Sequence, residues 1–163
     1  HGVDLVGNLA HRLRSETPGA NVQAGGYGGW VRFKFEIRGT VRKSVLLKYF
    51  HGSGGGALMT HGTLDTRRQA SWLPDADVVV NGHNHNQYVL ALQRERLSDR
   101  DAVEQDAVWF IRTGTYKDEY HDGSGGFQVE KGNSPKPIGA VWLKFSMDGD
   151  RIRIEPMPSL RNA

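Results

Sequence analysis

Apolar and polar residues alternate with period two over residues 30–38: Val31, Phe33, Phe35 and Ile37 fall on one side, Arg32, Lys34, Glu36 and Arg38 on the other. The pattern predicts a strand with one buried and one wet face, the basic side being a solvated sheet surface rather than a phosphate-backbone contact. Nearer the start the period changes. Val6, Leu9, Ala10 and Leu13 follow the i, i+3, i+4, i+7 spacing of an amphipathic helix, with Asp4 placed to cap it and Pro18-Gly19 beyond its end. Asn8 and His11 are read as solvated positions of this helix, and Gly25-Gly26-Tyr27-Gly28-Gly29 as a turn.

Residues 43–50 (KSVLLKYF) form a mostly apolar strand, followed at once by His51-Gly52-Ser53-Gly54-Gly55-Gly56. Residues 60–73 read as a helix with Leu64 and Trp72 among its apolar positions, ended by Pro74, and residues 77–80 as a short buried strand. Strand, helix, strand in that order predicts a βαβ unit and an α/β fold class. Further strands are expected at 87–92, 108–113 and 139–146, the last turning at Asp148-Gly149 into residues 151–155. Residues 94–106 are densely charged and read as a surface excursion. Residues 121–137, rich in Gly, Ser, Asn and Pro, read as a long loop.

Composition narrows this picture. A chain of 163 residues with 37% apolar content suits a single domain, or a large piece of one. No run approaches the ~18 apolar residues of a membrane span, so no membrane partner is expected. The absence of cysteine excludes disulfides and thiolate metal sites and fits the cytoplasm of a bacterium or phage-infected cell. A net charge of +3 permits an anionic partner, phosphate ester or nucleic acid, without demanding one.

The chemistry lies at strand ends. Gly82-His83-Asn84-His85 follows the apolar run Val78-Val79-Val80, and His51 follows the strand at 43–50. On extended backbone two histidines two residues apart project to one side with Cα atoms roughly 6.5 Å apart. Such a pair can reach two ions about 3.5–4 Å apart. The carboxyl ends of strands are where open α/β sheets hold ligands.

At Tyr49-Phe50-His51-Gly52 and Gly82-His83-Asn84-His85 the chain resembles the calcineurin-like metallophosphoesterase superfamily, in particular its phage-type members. Two of that family's five blocks, the lone histidine after a strand and GHxH, appear in order with a helix-length segment between them. The likeness spans residues 41–146. It implies a layered αββα sandwich of two mixed sheets, of which this chain is the second half, and a binuclear site of two divalent transition metals (Mn, Fe, Zn or Ni) that hydrolyses phosphomonoesters or phosphodiesters. His51 and His83 would bind one metal and His85 the other.

The DxH, GDxxD and GNH-acid blocks do not occur in these residues. In the family they supply the bridging aspartate, an asparagine ligand and the histidine that protonates the leaving group. The expectation is therefore an internal fragment, opening on His1-Gly2-Val3, that is inactive alone and needs the amino-terminal half of its domain as partner, or self-associates. Gly52, Ser53 and Gly54 either offer N–H groups to a phosphate or let the chain leave a crowded site. Lys117, after Thr113-Gly114-Thr115-Tyr116, either lies near the phosphate or is an ordinary strand exit. His61 and His121 read as surface histidines. Two rival functions remain: an inactive phosphoesterase-like scaffold, and a nucleic-acid-binding module suggested by the basic and aromatic residues of 30–38.

Overall fold

The computed structural model describes residues 4–37, 39, 41–52, 63–98 and 101–161. Its elements run α1 (Leu5–Glu16), β1 (Gly28–Ile37), β2 (Val41–Phe50), α2 (Thr63–Trp72), β3 (Val78–Asn81), β4 (Tyr88–Leu97), β5 (Val103–Arg112), α3 (Phe127–Glu130), β6 (Gly139–Asp148) and β7 (Arg151–Leu160). Five strands form one mixed sheet in the order β1-β2-β3-β5-β4, and β6 and β7 form a second, two-stranded sheet. The fold is α/β. Strand β3 pairs in parallel with both β2 and β5, while β1 and β4 close the edges antiparallel.

Alternation along β3 separates the two cores. Val79 packs with Val108, Phe110, Ala70 and Leu73 beneath α2. Val78 and Val80 face the other way, where Val45, Leu47 and Ile111 meet Val141, Leu143, Phe145, Ile152 and Ile154 of the β6–β7 ribbon. The layers are thus helix, five-stranded sheet and ribbon. The second sheet is antiparallel, not mixed. Strands β4 and β5 complete the first sheet and add nothing to the second.

The buried row of α2 also differs from expectation. Leu64 and Trp72 are exposed, whereas Thr66 is fully buried. The i, i+4, i+7 row Thr66, Ala70, Leu73 faces the sheet, and the Thr66 hydroxyl is satisfied by Tyr88 Oη at 2.7 Å. Helix α1 begins as expected, the Gly7 N–H donating to Asp4 Oδ1 at 2.8 Å. Its apolar stripe, however, is in water: Leu5 is 73% and Leu9 57% exposed, and only Ala10 is buried. Among the described residues no helix is long and apolar enough to cross a membrane.

Residues 94–97 and 103–106, read as a surface excursion, are regular strand, the outer parts of β4 and β5, with side chains largely exposed, and Arg94 is what holds them. Its guanidinium donates to Asp106 Oδ1 (2.5 Å) and Oδ2 (3.0 Å), to Asp77 Oδ1 (3.0 Å), and to the carbonyls of Pro74 and Ala76. Asp77 Oδ2 in turn accepts from the Leu46 N–H, so one cation ties the entry of β3 to β2, β4 and β5. Desolvation pushes the Asp106 carboxyl up, but the Arg94 hydrogen bonds, with the charges of Arg94, Arg96 and Arg151, outweigh it and hold the group below the usual carboxylate range. Its contribution to stability is present above the unfolded carboxylate pKa and is lost as pH falls through the folded one. Arg94→Ala removes the hydrogen bonds to Asp106, to Asp77 Oδ1 and to the Ala76 carbonyl, leaving Arg96 on the Pro74 carbonyl and beside Asp106, and the Leu46 N–H on Asp77. It should lower unfolding free energy by roughly 2 kcal/mol in urea titration, and the deficit should shrink at acid pH as Asp106 protonates.

Candidate metal centre

Parallel pairing brings the ends of β2 and β3 to one edge, with Phe50 in register with Asn81. Beyond them the two chains stay joined: the Gly82 N–H donates to His51 O at 3.0 Å, and the His51 N–H to Tyr27 O at 2.8 Å. Gly52 makes this approach possible. It is buried with φ +102, and a Cβ there would lie 2.9 Å from Gly82 O and 3.1 Å from His83 Cβ. Of the two roles open to Gly52, clearance at a crowded site is the one its geometry exhibits. Ser53, Gly54 and His61 lie outside the described residues.

His51 and His83 meet side by side. His83 Nδ1 stands 3.2 Å from His51 Nε2, and the rings are nearly perpendicular at 70° with centroids 5.2 Å apart. The Tyr27 ring also packs against His51, with centroids 4.9 Å apart. With one nitrogen protonated the contact is a hydrogen bond; with both lone pairs turned inward it is a pair of metal donors. Two nitrogens each about 2.1 Å from one ion lie 3.2 Å apart when they subtend roughly 100° at it, between tetrahedral and octahedral values. The spacing therefore suits one divalent ion.

His85 is reached differently from the extended pair expected. Strand β3 ends at Asn81, and His83 and His85 both adopt left-handed backbone, φ 74 and φ 57. A left-handed residue at each of these positions turns the chain too sharply for strand-like projection of the two rings. His85 is half-buried, and desolvation lowers its pKa from the usual histidine value of 6.5; Glu119 opposes this, while His83, Lys117 and Lys136 reinforce it. No group of three His, Cys, Asp or Glu side chains stands ready to hold one metal among the described residues. The arrangement offers a two-nitrogen donor pair and a third imidazole in electrostatic reach.

Two supports of the site are not visible in sequence motifs. Asn81, buried at the end of β3, exchanges reciprocal amide hydrogen bonds with Gln69 of α2 (2.7 and 3.2 Å), locking the helix to the strand that launches the histidine loop. Lys136 donates to Asn86 Oδ1 at 2.9 Å, tying the residue after His85 to the 121–137 segment. A buried polar residue closing an apolar strand was a readable signal for Asn81; Lys136 carried none. Lys117 is exposed and pairs with Glu119 at 3.5 Å, and His121, also exposed, lies 4.0 Å from Asp118.

No protein-family model matches the chain, and no curated protein does. Among solved structures it is similar to a Thermotoga maritima protein determined in solution by NMR, at 15% identity over 78% of this chain and 54% of that one, with a TM-score of 0.25. The chain thus spans about half of that protein's length, and so slight a likeness carries nothing about fold or function.

Two outcomes follow from this geometry. Because the His85 pKa is lowered, the unfolded chain binds the proton more readily, so stability falls as pH drops below 6.5 and levels off beneath the folded value. Ring-proton NMR should show His85 titrating below 6.5; titration at or above that value contradicts the burial described. Gly52→Ala, combining positive φ with a clash against Gly82 O, should cost roughly 2 kcal/mol and broaden the His51 and His83 ring resonances.

Proposed function

We propose that this chain is the metal-binding second half of a calcineurin-like phosphoesterase, acting on phosphomonoesters or phosphodiesters, nucleic acid among them. On this reading the helix, sheet and ribbon layers are the corresponding part of an αββα sandwich. The observation that carries it is the facing pair His83 Nδ1 and His51 Nε2, 3.2 Å apart at the ends of adjacent parallel strands. The lone-histidine and GHxH strings of the sequence are the residues that supply that pair.

His51 and His83 would hold one ion, and His85 is the remaining imidazole for a second. Bound divalent ions supply Lewis acidity toward phosphoryl oxygens and a water acidic enough to be hydroxide near neutral pH. The chain's own contribution is to hold neutral imidazoles in place. Burial keeps His85 in that form, while Lys117 and Lys136 set positive charge beside it for an anionic substrate. A bridging aspartate and an acid histidine are not among these residues, and loss of a general acid typically costs 10²–10⁴-fold in rate.

The expected outcome is therefore weak binding of Mn²⁺ or Zn²⁺ by the 163-residue chain in calorimetric titration, with affinity at least about tenfold lower in His51→Ala and His83→Ala. Hydrolysis of an aryl phosphate should be negligible for this chain. It should appear when residues bearing the DxH, GDxxD and GNH-acid blocks are supplied, and vanish again with His83→Ala. Failure of the chain to bind any divalent ion would instead leave the inactive-scaffold reading standing. Turnover by this chain alone at an ordinary enzymatic rate would move the active site elsewhere.

A further inference from the structure

Alternation puts Trp30, Arg32, Lys34 and Glu36 of β1 on one face, and the register sets Lys48, Leu46, Ser44 and Arg42 of β2 beside them in that order. This is the α2 side of the sheet, because Lys48 is in register with Val79, which packs beneath that helix. The helix does not reach so far. The core under α2 draws on β3, β4 and β5 and, among the described residues, takes none from β1 or β2. The wet face expected from the alternation is therefore there, and it is open.

Its charge is one-sided. Arg32, Lys34 and Arg42 are exposed, and with the half-buried Lys48 they place four cations on about 20 Å of hairpin, against the single carboxylate of Glu36. Elsewhere on the surface Lys117 pairs with Glu119, and Lys144 and Arg153 pair with Glu155. None of these four cations is ion-paired among the described residues, not even Arg42, whose register partner is Glu36. A row of uncompensated like charges opposes its own folding and attracts a polyanion.

Two further observations give the row a shape. Arg32, Lys34 and Arg42 line an open depression of about 400 Å³ with Ser44. At the other end Trp30 is 48% exposed, and the Lys48 ammonium lies 5.6 Å from the centre of its ring. An exposed ring among cations offers a base an apolar surface to lie against, the combination that holds single strands without regard to sequence. The row also has a direction. It runs from the β1–β2 turn toward Phe50, in register with Gly28, and so ends at the edge that bears His51.

We propose that the α2-side face of the β1–β2 hairpin binds single-stranded nucleic acid, with phosphates along Arg32, Lys34, Arg42 and Lys48 and a base against Trp30. A membrane fits less well, since beyond Trp30 and the half-buried Leu46 the face has no apolar stripe to insert. Binding requires neither the metal nor the missing blocks, so the surface stands without the phosphoesterase reading. Where that reading holds, a polynucleotide is the diester led to the histidines.

The test is fluorescence anisotropy of a labelled oligothymidylate of about 20 nucleotides, long enough for a surface of this size, titrated with the full chain in metal-free buffer. Dissociation constants of about 1–100 μM are expected at physiological salt, with log K falling against log salt at a slope near −3, about 0.7 for each of four phosphates. Arg32→Ala with Lys34→Ala should cut that slope by about half. Removing the same charge elsewhere, by Lys131→Ala with Lys144→Ala, should leave it unchanged. Glu36→Gln should tighten binding about twofold or more. Trp30→Ala should weaken it about tenfold with the slope kept, because stacking is not ionic. Inorganic polyphosphate, which has charge but no bases, should not respond to Trp30→Ala. If Trp30→Ala does not fold, the exposed Arg32, Lys34 and Glu36 substitutions still decide the matter. No binding, an unchanged slope without Arg32 and Lys34, an equal loss in the control variant, or tighter binding to anionic phospholipid vesicles than to the oligonucleotide overturns the proposal. Failure to bind divalent metal with this affinity intact would fail the phosphoesterase reading alone.

Discussion

The four residues of β3 are the constraint on which the rest of the structure depends. Val78–Asn81 is paired in parallel on both sides, so every backbone group of the strand is committed and both faces must be covered. Helix α2 covers one face and the β6–β7 ribbon the other. Parallel pairing also delivers the exits of β2, β3 and β5 to the same edge. His51, the His83–His85 loop and the stretch from Arg112 to Lys117 therefore gather there from three separate parts of the sequence. Arg112 itself is buried against the Tyr88 ring at 5.5 Å, in register with Asn81.

Elements whose burial follows from their own residues were legible in the sequence. The alternation of β1, the apolar run of β2, the Val78-Val79-Val80 strand and the Asp4 cap all appear within a residue or two of where periodicity put them. The turn at Gly149, φ 59, joins β6 to β7 as its composition demanded. The pairing of His51 with His83 was legible too, because each follows a strand and a helix-length segment separates them, which is what parallel neighbours require.

The misreadings share a cause, which is that burial depends on partners the local pattern does not name. Residues 94–97 and 103–106 read as an excursion because of their charge, yet they are strand, and one guanidinium there collects two carboxylates and two carbonyls. The apolar pattern of α2 names Leu64 and Trp72 and passes over Thr66, yet Tyr88, 22 residues away, supplies a hydrogen bond that lets Thr66 be fully buried. Helix α1 shows the converse, an apolar stripe correct in period and lying in water. The left-handed turn at the histidines was hidden for another reason. Nothing in the string GHNH distinguishes an extended pair from a coiled one.

That turn has a consequence in the economy of mutation. His83 and His85 each occupy a conformation that disfavours a Cβ, at roughly 1 kcal/mol apiece, and Gly or Asn would sit there with less strain. Random substitution at these two codons thus has stabilising exchanges within easy reach, in a fold whose margin is no larger than that of any small domain. Each imidazole is held at an energetic cost that a glycine or asparagine in its place would not incur.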